Sequence, residues 1–278
     1  MRINDFIKKK ISAFNKKNIS NPSFEVRYII KEKLGISLEE QLFNENFFLD
    51  NRQVIELEKI FDERFLGKPL ERIFNKISFR DVELEINKHT FSPRIDSEIL
   101  IDILIDEKLP IKDILELGTG SGALSISLLK HYKKAKCIVT DVKKEAIYIA
   151  KKNAILNDTF NQMQFICCDW LSCFNNLNFD VIISNPPYIK KEDIKNLDAK
   201  VKDYDPYLAL NGGKDGLTAF RVIINSIKKI GKKNLPVLFE IGFDQAEEII
   251  DIMKENNFKD IKVFNDYCST PRCVLGKT

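Results

Sequence analysis

Two histidines and one tryptophan are all that the 278 residues contain of those side chains. The six cysteines, at positions 137, 167, 168, 173, 268 and 273, fall into no paired CxxC spacing. A zinc site made of clustered Cys and His is therefore not expected, and no metal site is assigned. Cys137, Cys167 and Cys168 lie in apolar runs, where cysteine ordinarily serves as a small buried hydrophobe. Unpaired structural thiols of this kind fit a reducing compartment. No run approaches the ~18 apolar residues that a bilayer span requires. The start, MRINDFIKKKISAFNKKN, lacks the continuous apolar centre of a secretory signal. A soluble cytoplasmic protein with no membrane partner is expected. Charge of one sign is also lacking: 44 basic and 41 acidic residues leave a net +3, which gives no reason to expect nucleic acid as a partner.

Apolar residues are plentiful, at 44%, so a sizeable core can form and global disorder is excluded. Residues 1–70 carry helical signals only. NDFIKKKISAF sets Phe6, Ile7, Ile11 and Phe14 on one face, and NPSFEVRYIIKEKLG opens with Asn21 as a cap and Pro22 in the first turn, and ends on Gly35. A small helical bundle is expected there. Residues 71–92 form a linker in which Val82, Leu84 and Ile86 alternate with Glu83 and Glu85, the period of a β-hairpin over 77–92. From 93 to 278 strand and helix patterns alternate. The strand candidates are 113–118, 136–141, 164–169, 179–184, 235–241, 260–266 and 272–276, with helical stretches between the first five. That order predicts an α/β fold with a seven-stranded, mostly parallel sheet. Its last two strands are too close for a crossover helix, so they form an antiparallel hairpin.

ILELGTGSGALSISLL places Gly118, Thr119, Gly120 and Gly122 between the first sheet strand and its helix, where glycine lets backbone turn sharply and approach a ligand. Asp141 ends the next strand, positioned for a ribose diol. The loop alone also satisfies a loose dinucleotide fingerprint, and NAD(P) stays open at this point. Glu116 and Asp169, at the ends of the first and third strands, point elsewhere. Three carboxylates suit a ligand without phosphate, and S-adenosylmethionine carries a sulfonium and an ammonium instead. Glu116 and the glycine backbone then face its methionine part, Asp141 the ribose and Asp169 the adenine.

The fourth strand, DVIIS, runs straight into Asn185, Pro186, Pro187 and Tyr188. Two prolines fix φ, remove two N–H donors and stiffen the loop. What results is a rigid platform offering the Asn185 side-chain oxygen, the Pro186 carbonyl and the Tyr188 ring beside the ligand loop. A planar amino group is the natural guest. Both of its hydrogens can be held by acceptors while its nitrogen faces an electrophile, and no strong base is needed.

These pieces resemble the HemK/PrmC family of peptide chain release factor glutamine N5-methyltransferases over nearly the whole chain. The resemblance is carried by GKPLERI at 67–73, FSPRIDSEIL at 91–100, the glycine loop, NPPYI at 185–189, YDPYLALNGGKDGL at 204–217 and the terminal DYCSTPRCVLGKT. It implies a Rossmann-like class I methyltransferase domain behind a helical substrate-docking domain. It also implies S-adenosylmethionine as methyl donor, and the glutamine of the Gly-Gly-Gln motif in class I release factors as acceptor. By the same resemblance Asn185 and Pro186 bind the target amide, Pro187 and Tyr188 line the amide's pocket, Asn185 also contacts the cofactor, and Trp170 covers the adenine. Arg94, with Asp96 and Glu98, helps to form the cover of the site and contributes to substrate binding. The chain departs from the family at Ile95 (usually proline), Asp205 (usually glutamate) and Tyr207 (usually arginine), and ERIFNK at 71–76 lacks the usual tyrosine and glycine.

NPPY is shared with DNA adenine-N6 and cytosine-N4 methyltransferases, so by itself it specifies an amino acceptor and not which one. A glutamine of a large-subunit ribosomal protein is the alternative acceptor. DNA ranks below both, because neither a flipped-base pocket nor a basic recognition region is apparent. A binding module without chemistry has no use for a rigid platform beside a glycine loop.

Overall fold

A computed structural model describes residues 1–44, 47–176 and 178–278. The chain divides into two compact units, Met1–Asn75 and Lys76–Thr278. The first is helical, with α1 (Ile3–Lys16), α2 (Pro22–Leu34), α3 (Leu38–Phe43), α4 (Asn51–Phe65) and α5 (Leu70–Phe74). Phe6, Phe14 and Phe61 are fully buried at its centre, with the Phe61 ring edge-on to both of the others. Arg64 forks onto Glu25 at 2.7 and 3.0 Å, giving a buried guanidinium the carboxylate it needs. Asn21 does precede α2, but in the left-handed conformation and without a side-chain cap bond. Pro22 in the first turn and left-handed Gly35 at the end do what the sequence expects of them.

The second unit opens with the hairpin β1 (Lys76–Phe79) and β2 (Val82–Glu85). Val82, Leu84 and Ile86 are buried as alternation requires, but strand pairing stops at Glu85 rather than running on to residue 92. Five parallel strands follow, β3 (Asp113–Leu117), β4 (Lys136–Asp141), β5 (Met163–Cys167), β6 (Val181–Ser184) and β7 (Pro236–Glu240), and then the antiparallel pair β8 (Lys259–Asn265) and β9 (Pro271–Lys277). The order across the sheet is β5-β4-β3-β6-β7-β9-β8. This is the expected seven-stranded sheet with its closing antiparallel hairpin.

Alternation sends successive residues to opposite faces, and both faces are covered. Ile114, Val181, Ile183, Leu238 and Cys273 pack toward α6 (Ile99–Asp106) and α7 (Ala123–His131). Leu115, Ile182, Val237, Phe239 and Val274 pack with Phe220, Ile223, Ile249 and Met253 of α11 (Thr218–Ile230) and α12 (Ala246–Glu255). Between these helices lie α8 (Lys144–Leu156) and the single turns α9 (Ala199–Lys202) and α10 (Tyr207–Leu210).

Two expectations fail at the edge. Among the described residues no helix joins β5 to β6; the segment after Cys167 forms turns instead. And β5 is the edge strand, so Cys167 is exposed and Cys168 half-buried; of the three cysteines in apolar runs only Cys137 is a buried hydrophobe.

A buried asparagine joins the hairpin to the sheet. Asn153 of α8 accepts from the Glu85 N–H at 2.7 Å and donates to the Glu85 carbonyl and to the Ser121 carbonyl, both at 2.8 Å. One side chain thus substitutes for a missing strand partner and holds the glycine loop as well. Asn153→Ala leaves three backbone groups unpaired and is expected to cost about 2–4 kcal/mol. A urea midpoint within error of the wild type contradicts this account.

Candidate functional site

The carboxyl ends of β3, β4 and β6 converge on a cavity of about 650 Å³, within the range of small-molecule sites. Its lining includes Glu116, Gly118, Thr119, Gly120, Asp141, Asp169, Trp170, Asn185, Pro187 and Tyr188. Most of the residues singled out from sequence therefore meet around one space.

Gly118 is left-handed (φ +73°), and a Cβ there would come within 3.3 Å of the Trp170 ring, so glycine is required for both reasons. The Gly118 and Thr119 N–H groups both donate to the Thr140 carbonyl at 2.9 Å, which fixes the loop against β4. Asp141 accepts from the Gly120 N–H at 3.0 Å and from the Lys143 N–H at 2.9 Å. Burial raises its pKa, and these backbone donors oppose the rise. Asp169 is exposed at the rim, followed by Trp170 in an uncommon left-handed conformation (φ +45°).

Glu116 is buried beneath the loop, where its carboxylate accepts from the hydroxyls of Thr119 and Ser125. Ser125 lies in the first turn of α7, so the acid also favours the positive end of that helix. Burial pushes the Glu116 carboxyl up to about 7, against the pull of the two hydroxyls. Two residues expected at the site stand behind it. Gly122 precedes α7, where a Cβ would press on Ile126 and Ala150, and Pro186 is buried outside the cavity lining.

Asn185 donates from Nδ2 to the Ser97 hydroxyl at 3.2 Å. With the nitrogen engaged, the amide oxygen is its remaining polar atom, and among the described residues no protein donor bonds it. Tyr188 presents its ring to the cavity and its hydroxyl to Glu240 at 3.4 Å. Burial raises the Tyr188 pKa, and the Glu240 charge adds to the rise. The backbone after the prolines is clamped from two sides. The Ile189 N–H donates to the Leu210 carbonyl at 3.1 Å, the Gly212 N–H to the Ile189 carbonyl at 2.8 Å, and Gln245 Nε2 to the Tyr188 carbonyl at 2.9 Å.

That clamp accounts for the glycines of NGGKDGL. A Cβ on Gly216 would lie 2.4 Å from both the Tyr188 carbonyl oxygen and Gln245 Nε2, and one on Gly212 would lie 2.8 Å from the Tyr188 carbonyl carbon. Arg94 does not line the cavity. It pairs with Asp205 at 2.5 Å, packs over the Phe91 ring, and leaves Phe91, Pro93 and Ser97 as the wall. Asp205 also accepts from the Ser92 N–H at 3.2 Å, so the shorter acid found here reaches both partners. Ile95 and Tyr207 are exposed.

Sequence reasoning missed Ser97, Glu240, Gln245 and His89. His89, remote from NPPY along the chain, lines the same cavity. Glu240 and Gln245 carry no motif, and Ser97 is not singled out within FSPRIDSEIL; only the fold shows that they lie against the platform.

The profile of the family described as Methyltransferase small domain matches residues 91–208. The release factor glutamine methyltransferase of Agrobacterium fabrum is 32% identical over 92% of this chain and 90% of its own length. The bifunctional methyltransferase of Rickettsia typhi is 32% identical over 94% of this chain and 54% of its own length, so the chain spans about half of that relative. Among solved structures, the hMettl16 catalytic domain in complex with the MAT2A 3′UTR hairpin 6 superposes with a TM-score of 0.57 at 11% identity, over 84% of this chain and 85% of that one, a likeness of fold alone.

Two outcomes follow from the geometry. Gly216→Ala forces a Cβ into the clamp and is expected to destabilise by about 1–3 kcal/mol, read from the urea midpoint. For Glu116, whose carboxyl moves from an ordinary 4.5 to about 7, the folded protein holds the proton more tightly than the unfolded chain. Its contribution to stability therefore falls as pH rises from about 4.5 to about 7. Glu116→Gln should flatten that part of the stability profile; an unchanged slope contradicts the burial of an ionisable group there.

Proposed function

The chain belongs to the release factor glutamine methyltransferase family, and from that membership we propose that it transfers a methyl group from S-adenosylmethionine to N5 of the glutamine in the Gly-Gly-Gln motif of class I peptide chain release factors. The single observation that carries this reading is the Asn185 amide, tied through its nitrogen to Ser97 so that its oxygen is left as an acceptor beside the Tyr188 ring.

The residues present fit the donor. Three carboxylates and a glycine cradle surround the cavity, and among the described residues Lys143 is the only lysine in its lining, an arrangement suited to a cationic ligand rather than a polyphosphate. Gly118, Thr119 and Gly120 would pass their backbone along it, Asp141 would hold the ribose hydroxyls, Asp169 the adenine amino group, and Trp170 would cover the base. Gly122 supports this loop from the start of α7, and Glu116 holds the loop from below while bordering the cavity. When bound, S-adenosylmethionine supplies an electrophilic methyl group on sulfonium.

The chain's own work is to prepare the acceptor. A glutamine amide nitrogen is a weak nucleophile because its lone pair is shared with the carbonyl. The Asn185 oxygen would take one N–H, and the Pro186 carbonyl, whose residue lies outside the cavity lining, would take the other once the acceptor is seated, which orients the nitrogen and favours pyramidalisation as the new bond forms. Pro187 and Tyr188 would wall the acceptor pocket. Fixed acceptors of this kind need no reorganisation during reaction. Arg94, through its pair with Asp205, holds the Phe91–Ser97 wall against which the substrate would lie. The helical unit, residues 1–70 by sequence, is the proposed docking element for the release factor, with the hairpin segment 71–92 leading to the catalytic portion 93–278. Neither membrane nor DNA is a proposed partner; among the described residues no helix is long and apolar enough to cross a membrane.

The test is to incubate the purified protein with labelled S-adenosylmethionine and, separately, a class I release factor, a large-subunit ribosomal protein and DNA. Peptide mass spectrometry then locates the methyl group. It is expected on the Gly-Gly-Gln glutamine, with a fall of about 10²–10³-fold for Asn185→Ala. Transfer to the ribosomal protein or to DNA alone would discard the release factor and keep the chemistry.

A further inference from the structure

Cys168 lines the cavity directly before Asp169 and Trp170, and nothing in the proposed chemistry uses it. Its backbone N–H donates to the Asp141 carbonyl at 3.1 Å, which seats it at the end of β4. The chain then folds back on itself. The Ser172 N–H donates to the Asp169 carbonyl at 2.9 Å and the Phe174 N–H to the Leu171 carbonyl at 3.0 Å, with Leu171 buried as the anchor. This turn returns Cys173 to Cys168, where the Cys173 thiol donates to the Cys168 sulfur at 2.9 Å. The Cys168 thiol donates in turn to the Trp170 carbonyl at 3.4 Å. Both cysteines are free thiols, Cys173 exposed and Cys168 half-buried. Among the described residues they belong to no cluster of three metal-ligating side chains, which leaves thiol chemistry.

We propose that Cys168 and Cys173 form a reversible oxidation site, which hydrogen peroxide closes to a disulfide and which, once closed, loosens the Trp170 cover of the cofactor. The disulfide stands on the thiol geometry; its effect on the cofactor rests on the proposed function. Exposed Cys173 reacts first. Its sulfur attacks one peroxide oxygen, the O–O bond breaks, and a sulfenic acid and one water result. The Cys168 sulfur then attacks the sulfenic sulfur. The S–S bond forms, the S–O bond breaks, and hydroxide leaves with the Cys168 proton as a second water. The thiols lose two electrons and two protons in all, and the peroxide takes up both as it becomes two waters. Burial and the Cys173 neighbour push the Cys168 thiol up to about 12, so it stays a thiol while Cys173 meets the oxidant. Cys167 is engaged elsewhere, donating to the Val142 carbonyl at 3.6 Å.

A disulfide has no proton to donate. Closure therefore removes the Cys168 bond to the Trp170 carbonyl and draws the two sulfurs together across the turn. Trp170 is held left-handed at φ +45°, a conformation that a bulky residue keeps only while its surroundings enforce it. Its ring lies so close to Gly118 that a Cβ there would meet it at 3.3 Å. Disturbing this turn thus shifts the ring that backs the glycine loop.

Trp170 is the chain's single tryptophan, so its fluorescence reports this turn alone. Low doses of hydrogen peroxide should shift that emission, and dithiothreitol should restore it. Peptide mass mapping should show the loss of two hydrogens from the segment carrying these cysteines in wild type and Cys167→Ser, and no such loss in Cys168→Ser or Cys173→Ser. Calorimetry should show S-adenosylmethionine bound about three- to tenfold more weakly after oxidation, the worth of one lost hydrogen bond. Cys173→Ser, whose side chain lies outside the cavity lining, should bind it like the reduced wild type with or without oxidant. A crosslink that survives Cys173→Ser, or no crosslink in the wild type, overturns the inference. A crosslink that leaves emission and affinity unchanged overturns its effect on the cofactor. If the disulfide and the emission behave as expected but the reduced protein binds no S-adenosylmethionine, the oxidation site stands and the functional reading falls.

Discussion

A strand buried on both faces of a sheet has to end somewhere, and the peptide groups beyond its last residue must be bonded without water. At the end of β6 two prolines remove two of the N–H groups, and the next carbonyls and amides are taken by Gln245 and by the segment from Leu210 to Gly212. The rest of the site depends on this solution. Because Tyr188 and Ile189 are clamped as backbone, Asn185 and the Tyr188 ring stand at fixed positions over the cavity. Because the clamp needs near-contact between main chains, Gly212 and Gly216 have no room for a Cβ. The rigidity of NPPY is thus only half intrinsic; the other half is supplied by a loop far along the chain.

Buried acids flank this platform on both sides. Alternation puts Glu116 with Ile114, and Glu240 with Leu238, on the face of the sheet covered by α6 and α7. Each is a carboxylate at a strand end, desolvated; Glu116 is bonded by the Thr119 and Ser125 hydroxyls and Glu240 by the Tyr188 hydroxyl. Such groups are costly to bury and are sensitive to one proton near neutrality. Glu116 uses its bonds to hold the glycine loop and the start of α7. Glu240 uses its bonds to hold the platform. The two halves of the cavity are built on the same physical device.

Much of this was legible in the sequence, for definite reasons. The central sheet strands are apolar on both faces and short, the helices between them have clear stripes, and the close spacing of β8 and β9 allows only an antiparallel pair. The glycine loop and NPPY could be read because their residue types are needed for local reasons, φ at Gly118 and lost donors at the prolines. What could not be read depends on distant partners. Nothing near Glu240 in sequence points to the Tyr188 hydroxyl, and nothing in NGGKDGL points to the Tyr188 carbonyl. Cys167 looked buried because an edge strand and a central strand share the same apolar pattern, and Asn21 looked like a cap because residue type does not report backbone conformation.

The departures from the family pattern can be weighed by the same reasoning. Asp205 is one methylene shorter than the usual glutamate, which should weaken its reach, yet it holds both the Arg94 guanidinium and the Ser92 N–H. A buried carboxylate that lost either partner would be left with an unmet bond, so the Phe91–Ser97 wall must lie closer to Asp205 than a glutamate would need. Ser97 belongs to that wall, and its hydroxyl takes the Asn185 Nδ2. A change of one methylene at position 205 therefore bears on the orientation of the Asn185 amide, through the wall and not through the cavity. Ile95 and Tyr207, being exposed, have no such route, and their influence is confined to whatever surface meets them.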